Sequence, residues 1–328
     1  MIKHALLLSI LLAAYASSAP SLADEPKSDE PKSSFPALLQ SPAGFRFMLG
    51  DIEITALSDG SVPLDCHKAL TNIDHQKIDQ LLDDLYQKSP AETSVNAFLI
   101  KAGNRIVLVD TGSGDVFGPK IGGNLVEDLA ANGVQPDKVT DICITHVHSD
   151  HSGGLVRGGQ RLFTNAKVHV GKSDVDFFLN ETNSEKSGYP KRFFQEAIKT
   201  VKPYVDSGQV DAVTGDTEVV PGIRATVIGG HTPGSTLYTV ESKGQRIVFT
   251  GDIIHVAAVQ LPRPETTIMF DVDSKNAAKN RIEYFKKWAN GRTLLGIPHL
   301  NYPGVGYLKA DGEGYRWLPI IFSNRSFD

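Results

Sequence analysis

Apolar and polar positions alternate along Phe45–Leu49 and again along Ile52–Ser58. The pair Gly50-Asp51 between them suits a turn, so this stretch predicts a β-hairpin. A second hairpin is predicted from Val95–Lys101 and Arg105–Asp110 around Gly103-Asn104, its return strand carrying the apolar run Ile106-Val107-Leu108-Val109. Between the two hairpins, Ile73, Ile78, Leu81, Leu82 and Leu85 recur near helical spacing and predict a helix from Ile73 to Gln87, closed by Pro90. Leu125–Asn132, ended by Gly133, predicts a short helix, and Asp141–Thr145 a buried strand. Further strands are expected at Lys167–Val170, Arg224–Ile228, Thr236–Val240 and Arg246–Thr250, the last two joined by a turn at Lys243-Gly244. Helices are expected at Asp174–Leu179, Lys191–Val201 and Ser274–Ala289, with Ser274 as N-cap. Two strand-rich halves, each with helices, fit two packed sheets covered by helices on the outside. No Pro- or Ser-rich linker interrupts residues 40–328, which therefore read as one domain.

The N-terminus follows another pattern. Lys3 precedes a short apolar run, Ala5–Ala14, and Ser21-Leu22-Ala23 offers small residues where a signal peptidase reads. Residues 1–23 are expected to be a secretory signal peptide, giving an exported protein, periplasmic or secreted. The apolar run is well short of the ~20 residues that span a bilayer, so no stable membrane anchor is expected. Asp24–Ser34 doubles the unit DEPKS and has no apolar residue to bury, which makes residues 24–39 an expected disordered tether.

At 41% hydrophobic and 22% charged residues, the composition is that of a folded chain and excludes wholesale disorder. Its 33 basic against 38 acidic residues, with no long basic run, argue against a nucleic-acid partner. Cys66 lies in a loop-like stretch and Cys143 in an apparent strand, with nothing to bring them together; two free thiols are expected, a bridge being the minority reading.

The chemistry concentrates in Thr145-His146-Val147-His148-Ser149-Asp150-His151-Ser152-Gly153-Gly154, directly after a buried strand. In extended chain, residues two apart face the same way, so His146 and His148 can point at one metal. Asp150 and His151 come after the chain turns and can face a second. Imidazole with carboxylate oxygen suits zinc and its first-row neighbours, and the lack of thiolates argues against a structural cysteine site. Further candidates stand downstream at expected strand ends: His231 in GGHTPGS, Asp252 in FTGD and His299 in IPH. His67, His75 and His169 fit no such pattern and read as structural or surface residues.

In this order the segments resemble the metallo-β-lactamase superfamily, whose pattern is HxHxDH, then a GH(T)PG histidine, a GD aspartate and a late histidine. The resemblance implies the α/β class, an αββα sandwich with two divalent metal ions between its sheets, zinc first with manganese, cobalt or iron as alternatives. It implies that His146, His148 and His231 hold one ion, that Asp150, His151 and His299 hold the other, and that Asp252 bridges them. Gly50–Gly60, Thr93-Ser94-Val95, Val109–Gly112 with Phe117-Gly118-Pro119, Gly251–Gln260, His299–Gly306 and Gly314–Pro319 are similar to the methyl parathion hydrolase and dihydrocoumarin-type lactonase group.

That likeness runs from about residue 40 to the end and implies hydrolysis of lactones or aryl esters by a metal-bridging hydroxide. Asp252 and Asp150 would be the catalytic carboxylates, holding and orienting it. The positions matching that group's aromatic pocket are Phe117, Phe178, Phe194, His255, Ile268 and Phe270. Organophosphate-specialised members carry smaller aliphatic residues where this chain has His255 and Phe270, so phosphotriester hydrolysis is expected as a promiscuous activity only. The alternatives are an organophosphate hydrolase proper and, from another class, a non-catalytic exported metal-binding protein. A homodimer is a further option.

Overall fold

The computed structural model describes residues 44–118 and 121–321. The expected signal peptide and tether lie outside the described residues, as do Pro119 and the last residues of the expected domain. The chain divides into two units, and everything below concerns the second, Pro36–Asp328.

Two seven-stranded sheets form the unit. The first orders Phe45–Leu49, Ile52–Leu64, Ala91–Ala102, Arg105–Val109, Asp141–Ile144, Lys167–Gly171 and Val210–Val213. Its first four strands pair antiparallel, and its last four run parallel to one another. The second sheet orders Asp216–Val220, Ile223–Val227, Thr236–Ser242, Gln245–Phe249, Leu294–Gly296, Val305–Asp311 and Gly314–Pro319, antiparallel except where Gln245–Phe249 meets Leu294–Gly296. That parallel step is crossed by the long helix Ser274–Gly291.

The apolar runs arise because the central strands are buried on both faces. In Arg105–Val109, Val107 and Val109 face the layer between the sheets, whereas Leu108 faces the outer helices; Cys143 and its neighbours Ile142 and Ile144 divide the same way. The middle layer packs Phe98 against Phe249 with ring centroids 4.7 Å apart, one ring from each sheet. Helices Leu125–Ala131, Lys172–Phe178 and Lys191–Thr200 cover the first sheet, and Ser274–Gly291 covers the second through Phe285 and Trp288. The architecture is an αββα sandwich, the arrangement the resemblance implies.

Several element boundaries differ from expectation. The helix expected from Ile73 spans His75–Asp83 because the Asp74 carboxylate accepts the Lys77 N–H at 2.8 Å and so caps it later. Leu85 falls beyond its end and is exposed. Asp273, not Ser274, is the N-cap of the long helix, accepting from the Asn276 N–H. Cys66 opens a one-turn helix, Cys66–Ala69, rather than a loop. Both cysteines are buried and free. Among the described residues no helix is long and apolar enough to cross a membrane.

Candidate metal centre

Four ligand-type side chains leave a single loop. Strand Asp141–Ile144 delivers His146 and His148 in extended chain, after which Ser149–Ser152 winds one helical turn and points Asp150 and His151 back. The other three come from the second sheet. His231 lies in the turn before Thr236–Ser242, Asp252 just past Gln245–Phe249, and His299 just past Leu294–Gly296. Gly251, with φ of +54°, lets the two loops meet: a Cβ there would stand 2.9 Å from the Thr145 Cβ, immediately before His146.

The structure brings all seven residues together in two sets that share Asp252. His146, His148, His231 and Asp252 form one; Asp150, His151, His299 and Asp252 form the other. Asp252 Oδ2 lies 3.5 Å from His146 Nε2 and 3.3 Å from His231 Nε2. Its other oxygen, Oδ1, lies 3.1 Å from both His151 Nε2 and His299 Nε2. Asp150 Oδ2 completes the second set at 3.7 Å from His151 Nε2 and 3.5 Å from His299 Nε2.

A donor set of this kind fits two divalent cations, and the outer hydrogen bonds show why. His151 Nδ1 donates to Asp110 Oδ2 at 2.8 Å, His231 Nδ1 to Asp271 Oδ1 at 2.9 Å and His299 Nδ1 to the Ser94 carbonyl at 2.8 Å. His146 Nδ1 faces Thr145 Oγ1 at 3.2 Å, and His148 Nε2 faces the Tyr189 hydroxyl at 3.0 Å. With each outer nitrogen protonated, each inner nitrogen presents a lone pair. His151 Nε2 and Asp252 Oδ1 are buried with no hydrogen-bond partner, which a cation between them would remedy.

Charge follows from the same crowding. Burial pushes His146 and His148 well below the ordinary histidine range. In His151 burial is outweighed by Asp252, Asp150 and Asp110, and the ring is held well above that range. Burial of His231 is likewise outweighed, by Asp252 and Asp271, and its value rises to about 9. Asp252 is buried too, yet the surrounding imidazoles hold its carboxyl well below the usual carboxylate range. A buried aspartate outside the sets, Asp174, ties the ligand loops together by accepting from the Gly234 N–H, the Thr232 hydroxyl and the Val147 N–H.

Above the sets opens a cavity of about 210 Å³. His148, Asp150, Asp252 and His299 floor it, and Val62, Leu64, Thr93 and Phe117 are among its walls, with Arg192, Phe193, Glu196, His255 and Phe270. Phe117, His255 and Phe270 thus stand where the sequence places the pocket. Phe178, Phe194 and Ile268 do not line it. The two phenylalanines are buried in the core under the first sheet, and Ile268 in a small cluster around Cys66 and Ile78. The sequence reading missed Phe193, whose ring lies 4.9 Å from the His148 ring, and Tyr189, whose hydroxyl also donates to the Phe270 carbonyl at 2.8 Å. His169, expected to be structural or on the surface, is buried between Asp141 and Asp211.

Comparison with known proteins agrees with this geometry. A family profile described as the metallo-beta-lactamase superfamily matches residues 90–289. The solved structure of a hydrolase, AbOPH, in the beta lactamase superfamily is 33% identical, covers 87% of this chain and 100% of its own, and aligns with a TM-score of 0.80. AidC, a dizinc quorum-quenching lactonase in complex with a product, is similar in fold at 24% identity, with 86% and 99% coverage and a TM-score of 0.77. Among curated proteins, the N-acyl homoserine lactonase of Bacillus thuringiensis is 27% identical over 119 residues, 36% of this chain. The chain spans about 40% of the length of that relative.

Proposed function

The chain belongs to the metallo-β-lactamase superfamily, and from that premise we propose that it is a dinuclear metal-dependent hydrolase of lactones and aryl esters. One observation carries the reading: Asp252 offers one oxygen to each of two buried ligand sets at the floor of an aromatic-walled cavity. Zinc is the proposed metal, on the mixed histidine and carboxylate donors. Held by these two sets, divalent ions would supply an acidified water as nucleophile and positive charge against the ester carbonyl. The chain's own residues do the rest. Asp252 fixes the spacing of the two sets, and Asp110, Asp271 and the Ser94 carbonyl fix three of the rings. Asp150 is the most accessible ligand, with 20% of its side chain exposed at the cavity floor, and is placed to orient the attacking water through the oxygen it does not give to the second set. Phe117, Phe193 and Phe270 hold a flat ring and keep bulk water out.

The cavity's small volume and its His255 and Phe270 walls favour a planar lactone over a tetrahedral phosphotriester. The likeness to N-acyl homoserine lactonases supports the same choice. The test is kinetics on metal-quantified protein with dihydrocoumarin and methyl parathion, and Asp252→Ala as control. Lactone turnover that disappears in the variant together with metal binding is expected. A higher kcat/KM for methyl parathion would overturn the substrate assignment, and metal binding without turnover of either would favour the non-catalytic metal-binding alternative.

A further inference from the structure

Among the described residues, Arg192 is the one lysine or arginine lining the metal cavity. It sits on helix Lys191–Thr200 four residues before Glu196, the spacing at which opposite charges on a helix pair. Glu196 is engaged elsewhere, accepting the Ser149 hydroxyl at 2.7 Å across the loop that carries the ligands. Among the described residues Arg192 has no ion-pair partner, and its guanidinium lies 4.7 Å from the centre of the Phe193 ring on an exposed residue. The same ring packs against the His148 imidazole, 4.9 Å away, and against the Tyr189 ring at 5.0 Å. A single aromatic ring therefore separates a free guanidinium from a metal ligand.

We infer that Arg192 recognises an anionic substituent on the substrate, one aromatic ring away from the scissile carbonyl. The preferred substrates are then aryl esters or lactones bearing a carboxylate, sulfonate or similar oxyanion at their outer end. This deepens the proposed hydrolase reading and rests on it. Three physical features favour it. The guanidinium is planar and presents paired donors that match an oxyanion in bidentate fashion. Stacking on Phe193 restrains the side chain in advance, so less of its freedom is lost on binding. Val62, Leu64, Phe117 and Phe270 give the wall no charge and its other charged side chain, Glu196, is acidic, so Arg192 is where an anionic end finds a partner. Glu196, tied to Ser149, stands on the same helix and disfavours an anion placed further in.

The test compares phenyl acetate with 4-acetoxybenzenesulfonate on the metal-loaded protein and on Arg192→Gln and Arg192→Lys. Sulfonate is a poor metal ligand, so the ester end remains the one drawn to the metals. The expected result for Arg192→Gln is a fall in kcat/KM for the sulfonated ester about tenfold larger than for phenyl acetate, the size of one charged hydrogen bond. Arg192→Lys keeps the charge but not the fork and falls between. Raising the salt to about 0.5 M narrows the native preference, because the guanidinium is exposed. Equal losses for the two esters overturn the inference. Calorimetric binding of 4-hydroxybenzenesulfonate needs no turnover and separates the two proposals. If neither ester is hydrolysed the hydrolase reading fails, and equal affinity of this ligand for native protein and Arg192→Gln then overturns the Arg192 inference independently.

Discussion

His148 is the one ligand histidine that turns Nδ1, not Nε2, toward its neighbours: Nδ1 lies 3.1 Å from His146 Nε2 and 3.0 Å from His231 Nε2. Its outer nitrogen therefore reaches into the pocket wall, where the Tyr189 hydroxyl accepts from it and donates to the Phe270 carbonyl. Tyr189→Phe leaves a buried N–H without an acceptor and releases one wall of the cavity. Affinity for one of the two metal ions is expected to fall about 10- to 100-fold, as for other outer partners of metal-bound histidines. Chelator competition measures this directly. Unchanged affinity would mean that packing alone, the near-parallel Tyr189 and His148 rings 6.2 Å apart, orients the ligand. The clustering of His146, His148, Asp150 and His151 was legible in the sequence because extended chain and the turn after it convert spacing into direction, whereas the places of His231, Asp252 and His299 in the two sets came from the family resemblance. The pocket was not. On helix Lys191–Thr200, neighbouring residues point roughly 100° apart, so Phe193 faces the cavity while Phe194 faces the core, and composition cannot tell them apart. Tyr189 carried no signal at all, since an isolated tyrosine after a glycine has no pattern to break.

The elements that aim the ligands are held by polar networks at their far ends. Strand Asp141–Ile144 begins with a buried carboxylate that accepts from Arg105 Nη1 at 2.8 Å, Thr140 Oγ1 at 2.7 Å and His169 Nε2 at 3.1 Å. Burial raises the Asp141 value, but these donors outweigh it and hold it down at about 2, against 3.8 for an ordinary aspartate. A depressed value in the folded chain means that the ionised group stabilises the fold above about pH 4, and that this contribution is lost as the pH falls toward 2. Asp141→Asn is therefore expected to destabilise by roughly 2 kcal/mol at pH 7, with the gap closing between pH 4 and pH 2. Urea unfolding across that range checks it, and a gap that does not change with pH would assign the loss to packing instead. Hairpins and long amphipathic helices were legible in the sequence. The edge strands Val210–Val213 and Asp216–Val220 were not, being short and only partly buried, with little apolar alternation to read. Helix starts moved where a carboxylate one residue earlier, Asp74 or Asp273, could reach the first free N–H groups.

The metal centre lies where the two sheets meet, and its ligands divide between them. His146, His148, Asp150 and His151 follow a strand of the first sheet, whereas His231, Asp252 and His299 follow strands of the second. Cations held by both groups tie the sheets together as well as serving chemistry. Without them, five buried imidazoles and two carboxylates crowd one another, with Asp252 Oδ1 and His151 Nε2 lacking a hydrogen bond. Binding to the folded chain alone stabilises it by RT ln(1 + [L]/Kd), about 4 kcal/mol per site when the free ion stands at a thousand times Kd. In a domain of this size each kcal/mol moves Tm by roughly 2–4 °C, so stripping both ions is expected to lower Tm by at least about 10 °C. Differential scanning calorimetry before and after chelation, with metal content measured on the same samples, reads the shift; restoring zinc should reverse it. Asp252→Ala should respond far less, because removing the shared carboxylate weakens both sites at once. A stripped protein that melts where the loaded one does would show that the sandwich closes through the Phe98–Phe249 layer alone, and that the ligands at its rim are held in place by their outer hydrogen bonds before any metal arrives.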